Sequence, residues 1–371
     1  MSNRKDEHVA LALQQHGSAG RNEFDLVRFV HHALPDSDSD RSDLRTDVAG
    51  ATWNWPFYLN GMTGGSTRTG EINRQLATAA RETGIAIAAG SLSAYLKDAS
   101  TAESFRVLRT ENPHGFVMAN VNANADLDGV RRAVDLLEAN ALQIHLNVAQ
   151  ETVMPEGDRA FGHWAQMLER TVQALDVPVI VKEVGFGLSP QTLQRLHGLG
   201  VQWADVSGRG GTDFARIENA RRPGTDYDYL IGWGQSAPAC LAEASLLPAA
   251  QRPHLLASGG VRHPLDVLRA LALGARAVGV SGHFLHTLST QGLDALIAEI
   301  HRWQAQLRQL LALVGCTNLA DLAHTDLLLG GELREYCELR GVDVAALAQR
   351  QRTAAARCHP ATVAPIETIT P

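Results

Sequence analysis

His145, Asn147, Gln150 and Glu151 bring an imidazole, two carboxamides and a carboxylate into one short stretch, Ala141-Leu-Gln-Ile-His-Leu-Asn-Val-Ala-Gln-Glu-Thr-Val-Met-Pro-Glu-Gly-Asp158. Groups of these types hold protons, orient polar substrates or ligate hard cations. The stretch opens as an apolar run with period-two alternation, which points Gln143, His145 and Asn147 one way and Ile144, Leu146 and Val148 the other. Pro155 and Gly157 end any ladder, so Gln150 and Glu151 fall in a loop at the strand exit. One buried His or Asn is usually a satisfied core residue. Four polar groups at the carboxyl end of a single strand favour a site, because parallel α/β proteins build their sites there.

Lys182 ends another apolar run, where an unpaired ammonium would cost several kcal/mol. A salt bridge with Glu183 or a more distant carboxylate would account for it. The sharper reading is a cation facing the negative charge of a reduced flavin ring. Glycine-rich and polar segments recur nearby: Asn60-Gly-Met-Thr-Gly-Gly65, Gly90-Ser-Leu-Ser93, Asn120-Val-Asn122, Ser207-Gly-Arg-Gly-Gly-Thr212, Ser258-Gly-Gly-Val-Arg262 and Ser281-Gly282. Short turns alone can demand such glycines. Two of them in succession near the end of the repeating pattern suit phosphate binding by backbone N–H groups and a helix amino terminus. Beside a bound phosphate, Glu151 reads as a ligand of Mg2+, which takes one or two carboxylates and completes its octahedron with water and phosphate oxygens.

The elements that position these residues form a rhythm. Apolar runs recur at 57–59, 85–89, 116–121, 142–146, 179–181, 203–206, 255–257 and 277–280, and most are separated by helical patterns such as 71–83, 128–139, 161–175, 190–199 and 264–273. Eight strands alternating with helices predict an α/β protein with a (β/α)8 TIM barrel. A doubly wound open sheet shares the alternation, but the strand count and the missing GxGxxG after the first strand disfavour it. Residues 1–55 read as an N-terminal extension, with a short helix over 6–13 and a polar loop at 36–40. Residues 56–351 form the barrel with extra C-terminal helices at 293–314 and 342–351, and 352–371 read as a disordered tail. The long connection 208–247 contains a loop over the barrel mouth and a helix near 237–246.

A chain of 371 residues, 45% hydrophobic and 20% charged, is an ordinary globular composition. The amino terminus is charged at once and no apolar run reaches bilayer length, so the expectation is a cytoplasmic protein without a membrane partner. Cys240, Cys316, Cys337 and Cys358 have no metal-ligand spacing and read as reduced structural thiols. A net charge of −7 argues against nucleic acid as a partner.

Taken as an ordered set, Arg4-Lys-Asp-Glu-His8, Met62-Thr-Gly-Gly65, His145-Leu-Asn147 with Gln150-Glu151, Met154-Pro-Glu-Gly-Asp158, Val181-Lys-Glu-Val-Gly185, Asp205-Val-Ser-Gly-Arg-Gly-Gly-Thr212 and Ser258-Gly-Gly-Val-Arg262 resemble the type 2 isopentenyl-diphosphate isomerases. The resemblance runs from residue 4 to about residue 285. It implies an FMN-dependent isomerase of isoprenoid biosynthesis that interconverts isopentenyl and dimethylallyl diphosphate, with Mg2+ and with FMN reduced by NADPH but not consumed. By the same resemblance Gly61, Met62, Thr63, Ser91, Asn120, Lys182, Ser207, Thr212, Ser258, Gly259, Gly260, Ser281 and Gly282 hold FMN. Arg4, Lys5, His8 and Gln150 meet the prenyl diphosphate, Gln150, His145 and Asn147 serve the chemistry, and Glu151 binds the metal. A homo-oligomer, tetramer or octamer, is also implied. Many family members have Ser-Gln-Arg where this chain has Ser91-Leu92-Ser93, and the Arg they carry contacts the diphosphate.

The chemistry agrees with the residues. Moving a double bond adds a proton at one carbon and removes one from another, and no ordinary side chain does this unaided at neutral pH. Reduced flavin supplies a suitable acid/base group. Two other readings fit the barrel: a net FMN oxidoreductase resembling a hydroxy-acid dehydrogenase, which would need a His base and Arg carboxylate clamps at strand ends, and a barrel that binds flavin or phosphate without turnover.

Overall fold

The computed structural model describes residues 4–15, 22–224 and 226–351. Eight parallel strands close into a barrel: β1 (Phe57–Leu59), β2 (Ala86–Ala88), β3 (Val117–Asn122), β4 (Ala141–His145), β5 (Val179–Lys182), β6 (Trp203–Asp205), β7 (His254–Ser258) and β8 (Ala277–Val280). Each strand pairs with its sequence neighbours, and β8 pairs back onto β1. The (β/α)8 expectation holds. The outward residues of the strands, among them Phe57, Ile87, Ile144 and Val181, join the main core beneath the helices.

The inward face is layered. Ala86, Ala141, Trp203 and Ala277 fill its lower part together with Tyr58 and Met118. Above them, towards the carboxyl ends, come Asn120, Gln143, His145, Lys182, Asp205 and Ser258, all buried. Strand register lines these up laterally: Asn122 faces His145, His145 faces Lys182, and Lys182 faces Asp205. The alternation read from Gln143 and His145 therefore describes the barrel interior. Gly279 on β8 has a packing reason, because a Cβ there would lie 2.8 Å from the Tyr58 ring. Without that Cβ, Tyr58 reaches across and donates to Asp205 Oδ2 at 3.1 Å.

Several local expectations change. The extension before residue 56 is part of the barrel's closure: the hairpin Thr46–Val48/Ala51–Trp53 inserts Val48 and Trp53 against the inner layer. Val27–Phe29 pairs antiparallel with Leu327–Leu329, tying this segment to the C-terminal region. The expected helix over 6–13 extends from Arg4 to Gln15. Gln150 and Glu151 lie not in a loop but on the short helix Val148–Val153, which starts at Asn147 after β4 has ended at His145. Pro155 and Gly157 act only after that helix. The connection after β6 contains, besides Ala237–Ala244, an unexpected helix, Phe214–Ala220. The expected 342–351 helix shrinks to Val344–Leu347, preceded by Gly331–Leu339. The reading of the tail at 352–371 lies outside the described residues.

Candidate active site

A cavity of about 1030 Å³ opens at the carboxyl end of the barrel. It is lined by Lys5, His8, Gly61, Met62, Ser91, Asn120, His145, Asn147, Gln150, Glu151, Lys182, Ser207, Thr212, Ser258, Gly259, Gly260, Ser281 and Gly282. Two residues expected at the site stand apart. Thr63 is fully buried outside the lining, with its backbone against Gly90 and its hydroxyl without a partner among the described residues. Arg4 begins the first helix, and its side chain lies outside the described structure.

The floor is a buried polar network. Lys182 Nζ donates to the main-chain oxygen of its neighbour Glu183 at 2.6 Å. The Glu183 carboxylate turns away and accepts the N–H groups of Val184, Gly185 and Phe186 at 2.7, 3.0 and 2.6 Å, so the suggested salt bridge between the two side chains does not form. Burial pushes the Glu183 carboxyl up to about 7 despite those donors, and pushes the Lys182 ammonium down from its ordinary range, with Asp205 and Glu183 opposing. Asp205, 0% exposed, accepts from Tyr58, from the Ser258 hydroxyl at 2.8 and 3.0 Å, and from Ser207 N–H at 3.0 Å.

His145 is held by the neighbouring strand β3. Its Nδ1 lies 2.8 Å from Asn120 Oδ1, and Asn120 Nδ2 donates to Gln143 Oε1 at 3.1 Å. This network assigns the proton to Nδ1 and leaves Nε2 as an acceptor. Burial, together with the charges of Lys182 and Lys5, lowers the imidazole to about 3. At neutral pH it is uncharged and accepts hydrogen bonds.

Gln150 is fixed at both ends of its carboxamide. Oε1 accepts from Asn147 Nδ2 at 3.2 Å, and Nε2 donates to Glu218 Oε1 at 2.8 Å. Glu218, which the sequence reading missed, lies on Phe214–Ala220 and is 0% exposed. His8 Nε2 sits 3.2 Å from the same oxygen, short of hydrogen-bond alignment, and Arg221 pairs with the other. Burial alone would raise the Glu218 carboxyl, but His8, Gln150 and Arg221 outweigh it and hold it at about 2. Gln150 thus rests on a permanently ionised carboxylate, and the first helix reaches that carboxylate through His8.

Glu151, 5% exposed, accepts from Asn147 Nδ2 at 2.9 Å and from Asp158 N–H at 2.9 Å. Asn147 Oδ1 beside it is buried without a partner among the described residues. A carboxylate and an orphaned carbonyl oxygen facing one cavity are a hard-oxygen donor set of the kind Mg2+ takes. Asp25, His263 and Asp266 also approach one another, but Arg262 and Arg269 already neutralise both carboxylates.

The exits of β6 and β7 pack backbone on backbone. A Cβ on Gly259 would lie 1.9 Å from Gly208 O, and one on Gly208 would lie 2.1 Å from Ala237 N. Asn22 Nδ2 donates to Gly260 O at 2.6 Å, so a residue of the N-terminal extension fastens this turn. Gly282 opens a ten-residue helix whose first N–H groups have no intrahelical acceptor. These turns suit a phosphate, and the floor around Lys182 suits a flat anionic ring.

An isopentenyl-diphosphate delta-isomerase from Streptomyces sp. (strain CL190) is 60% identical to this chain over 348 residues, covering 94% of this chain and 95% of that protein. The chain belongs to the isopentenyl-diphosphate delta-isomerase family. Isopentenyl-diphosphate delta-isomerases of Kitasatospora griseola and Latilactobacillus sakei are 60% and 47% identical, covering 95% and 91% of this chain and 96% of each protein. Residues 137–328 match the FMN-dependent dehydrogenase family. A mandelate oxidase with a monooxide FMN adduct (20% identity, TM-score 0.62, 87% of this chain and 92% of that one) and a flavocytochrome b2 with bound sulfite (17%, 0.62, 85% and 80%) share the fold. The family read from the ordered motifs is therefore correct, and no described helix is long and apolar enough to cross a membrane.

Proposed function

We propose that this protein interconverts isopentenyl diphosphate and dimethylallyl diphosphate, using FMN reduced by NADPH, with Mg2+ at the diphosphate. The observation that carries the reading is the Gln150–Glu218 pair above a Lys182-centred floor, in a chain of this family. Gly61, Met62, Ser91, Asn120, Ser207, Thr212, Ser258, Gly259, Gly260, Ser281 and Gly282 line the cavity where FMN fits, with the phosphate at the exits of β7 and β8. Reduced FMN, when bound, supplies the acid/base group that a simple alkene demands.

The chain's own groups then have separable tasks. Lys182 balances negative charge on the ring. Gln150 orients the alkene, because neither end of its carboxamide is free to rotate. Glu218 is too acidic to take up a proton at neutral pH and is paired with Arg221, so it is a fixed, ionised anchor that holds Gln150 from behind the cavity wall. His145 accepts through Nε2 and orients. Glu151 and the Asn147 carbonyl oxygen hold Mg2+, while Lys5 and His8 close the site from the first helix, with Arg4 at its start. A homo-oligomer belongs to the same reading.

The hydroxy-acid alternative finds little support. Arg209 and Arg262, the arginines at strand exits, are committed to Glu23 and to Asp25 with Asp266, and cannot clamp a substrate carboxylate. Incubation of the purified protein with FMN, NADPH, Mg2+ and isopentenyl diphosphate tests the proposal: dimethylallyl diphosphate should accumulate to an equilibrium mixture, and its absence would refute the reading.

A further inference from the structure

We infer that Arg132 is a diphosphate-binding residue of this protein, held in place by the ring of Tyr95. The inference rests on the isomerase reading and deepens it. A diphosphate brings several negative charges into the cavity, and its affinity depends on cations that are not already neutralised. Among the described residues, the cationic side chains lining the cavity are Lys5, Lys97, Arg132, Lys182 and Arg262. Arg262 is spent on Asp25 and Asp266. Lys182 lies on the floor, donating to a main-chain oxygen. Lys97 is exposed at the rim, where side-chain entropy and water weaken a contact.

Arg132 differs from these three, and adds to Lys5 of the first helix, already placed at the substrate. It is half-buried, and its guanidinium carbon lies 5.3 Å from the centre of the Tyr95 ring. No carboxylate lies within ion-pair distance of it among the described residues. Stacking occupies the flat face of a guanidinium and leaves the N–H edges available for a bidentate bond to a phosphate. The backbone explains the position. Gly129, one turn earlier on Leu127–Leu137, packs where a Cβ would come within 3.2 Å of Leu96. That close approach brings the face shared by Gly129 and Arg132 against the helix Ser93–Lys97, which carries Tyr95. The acidic neighbours do not compete: Asp126 caps Gly129 N–H at 2.8 Å, Glu156 pairs with Arg221 at 2.8 Å, Asp158 bonds Asn124, and Asp128, one turn before Arg132 on the same helix, is exposed and outside ion-pair distance of it.

The test uses the FMN- and Mg2+-loaded protein, reduced with dithionite so that NADPH is not needed. Arg132→Gln should raise KM for isopentenyl diphosphate about tenfold, the size of one lost charge-assisted contact, with a smaller loss in kcat. Calorimetric titration with inorganic pyrophosphate should show the same weakening. Tyr95→Leu should reproduce part of both effects, and Arg131→Gln, next in sequence but exposed, should reproduce neither. KM and pyrophosphate affinity within twofold of the parent, in an Arg132→Gln protein with an unchanged melting temperature, would overturn the inference. So would a rise confined to the KM for NADPH, measured by flavin bleaching, which would assign the cation to the reductant. A parent protein that binds pyrophosphate but isomerises no isopentenyl diphosphate would refute the isomerase reading and leave the anion site standing.

Discussion

Gln150 Nε2 donates to Glu218 Oε1 across 2.8 Å, joining the helix after β4 to one in the connection after β6, and both side chains are buried. A carboxamide alone rotates freely between two orientations. This one is fixed, with its oxygen towards Asn147 and its nitrogen on a charge.

Replacing Glu218 by Gln keeps the shape and removes that charge. The expected result is a fall in kcat of about tenfold, the size of one weakened charge-assisted hydrogen bond to Gln150, with FMN content unchanged. Steady-state kinetics with a flavin absorbance spectrum checks both. A kcat within threefold of the parent would show that the carboxylate does no more than pack.

The positions of Gln150 and Glu218 mark what the sequence could and could not disclose. His145 and Lys182 end short apolar strands, so their inward direction follows from the pleat, whereas Gln150 was legible only as a polar group just past a strand exit and is aimed by the helix that follows. Glu218 carries no such signal. Its seven-residue helix is hidden in a long connection, and its partner Gln150 lies 68 residues away. Asn22 was equally silent, because its bond to Gly260 spans 238 residues. Pro155 and Gly157 favour a loop over Gln150 and Glu151, but a proline and the residue before it bar helix only locally, so about one and a half turns fit between Asn147 and Met154.

Lys182→Ala should weaken FMN binding at least tenfold and make the flavin harder to reduce, since the ring loses its buried cation. Fluorescence titration and a redox titration against a reference dye measure the two effects. Unchanged affinity and potential together would remove Lys182 from the flavin site.

Glu151→Gln should raise the Mg2+ concentration needed for half-maximal activity by tenfold or more while FMN stays bound. An unaltered Mg2+ dependence would move the metal away from Glu151 and the Asn147 carbonyl oxygen.

Acid stability of the flavin-free protein provides a fourth check. His145 falls from 6.5 when unfolded to about 3 when folded, so folding opposes its protonation, and stability should fall as pH drops below 6.5. Glu183 rises from 4.5 to about 7, which contributes stability below 4.5 that is lost as pH climbs through 7. The two slopes oppose each other between pH 4.5 and 6.5. Removing the first by His145→Gln should leave a protein that gains stability towards acid, diverging from the parent by about 1.4 kcal/mol per pH unit in that window. Urea denaturation at stepped pH measures this, and parallel curves would mean that His145 titrates normally in the fold.

The central claim is that protons, and no net hydride, reach the substrate. The most direct measurement is an anaerobic reaction in deuterated water, with FMN reduced once by a nicotinamide carrying tritium at its transferable position, followed by counting of product and labels. The account predicts many equivalents of dimethylallyl diphosphate per flavin from that single reduction, with solvent deuterium in the product and no tritium. One nicotinamide consumed per product, or tritium in the product, would contradict it.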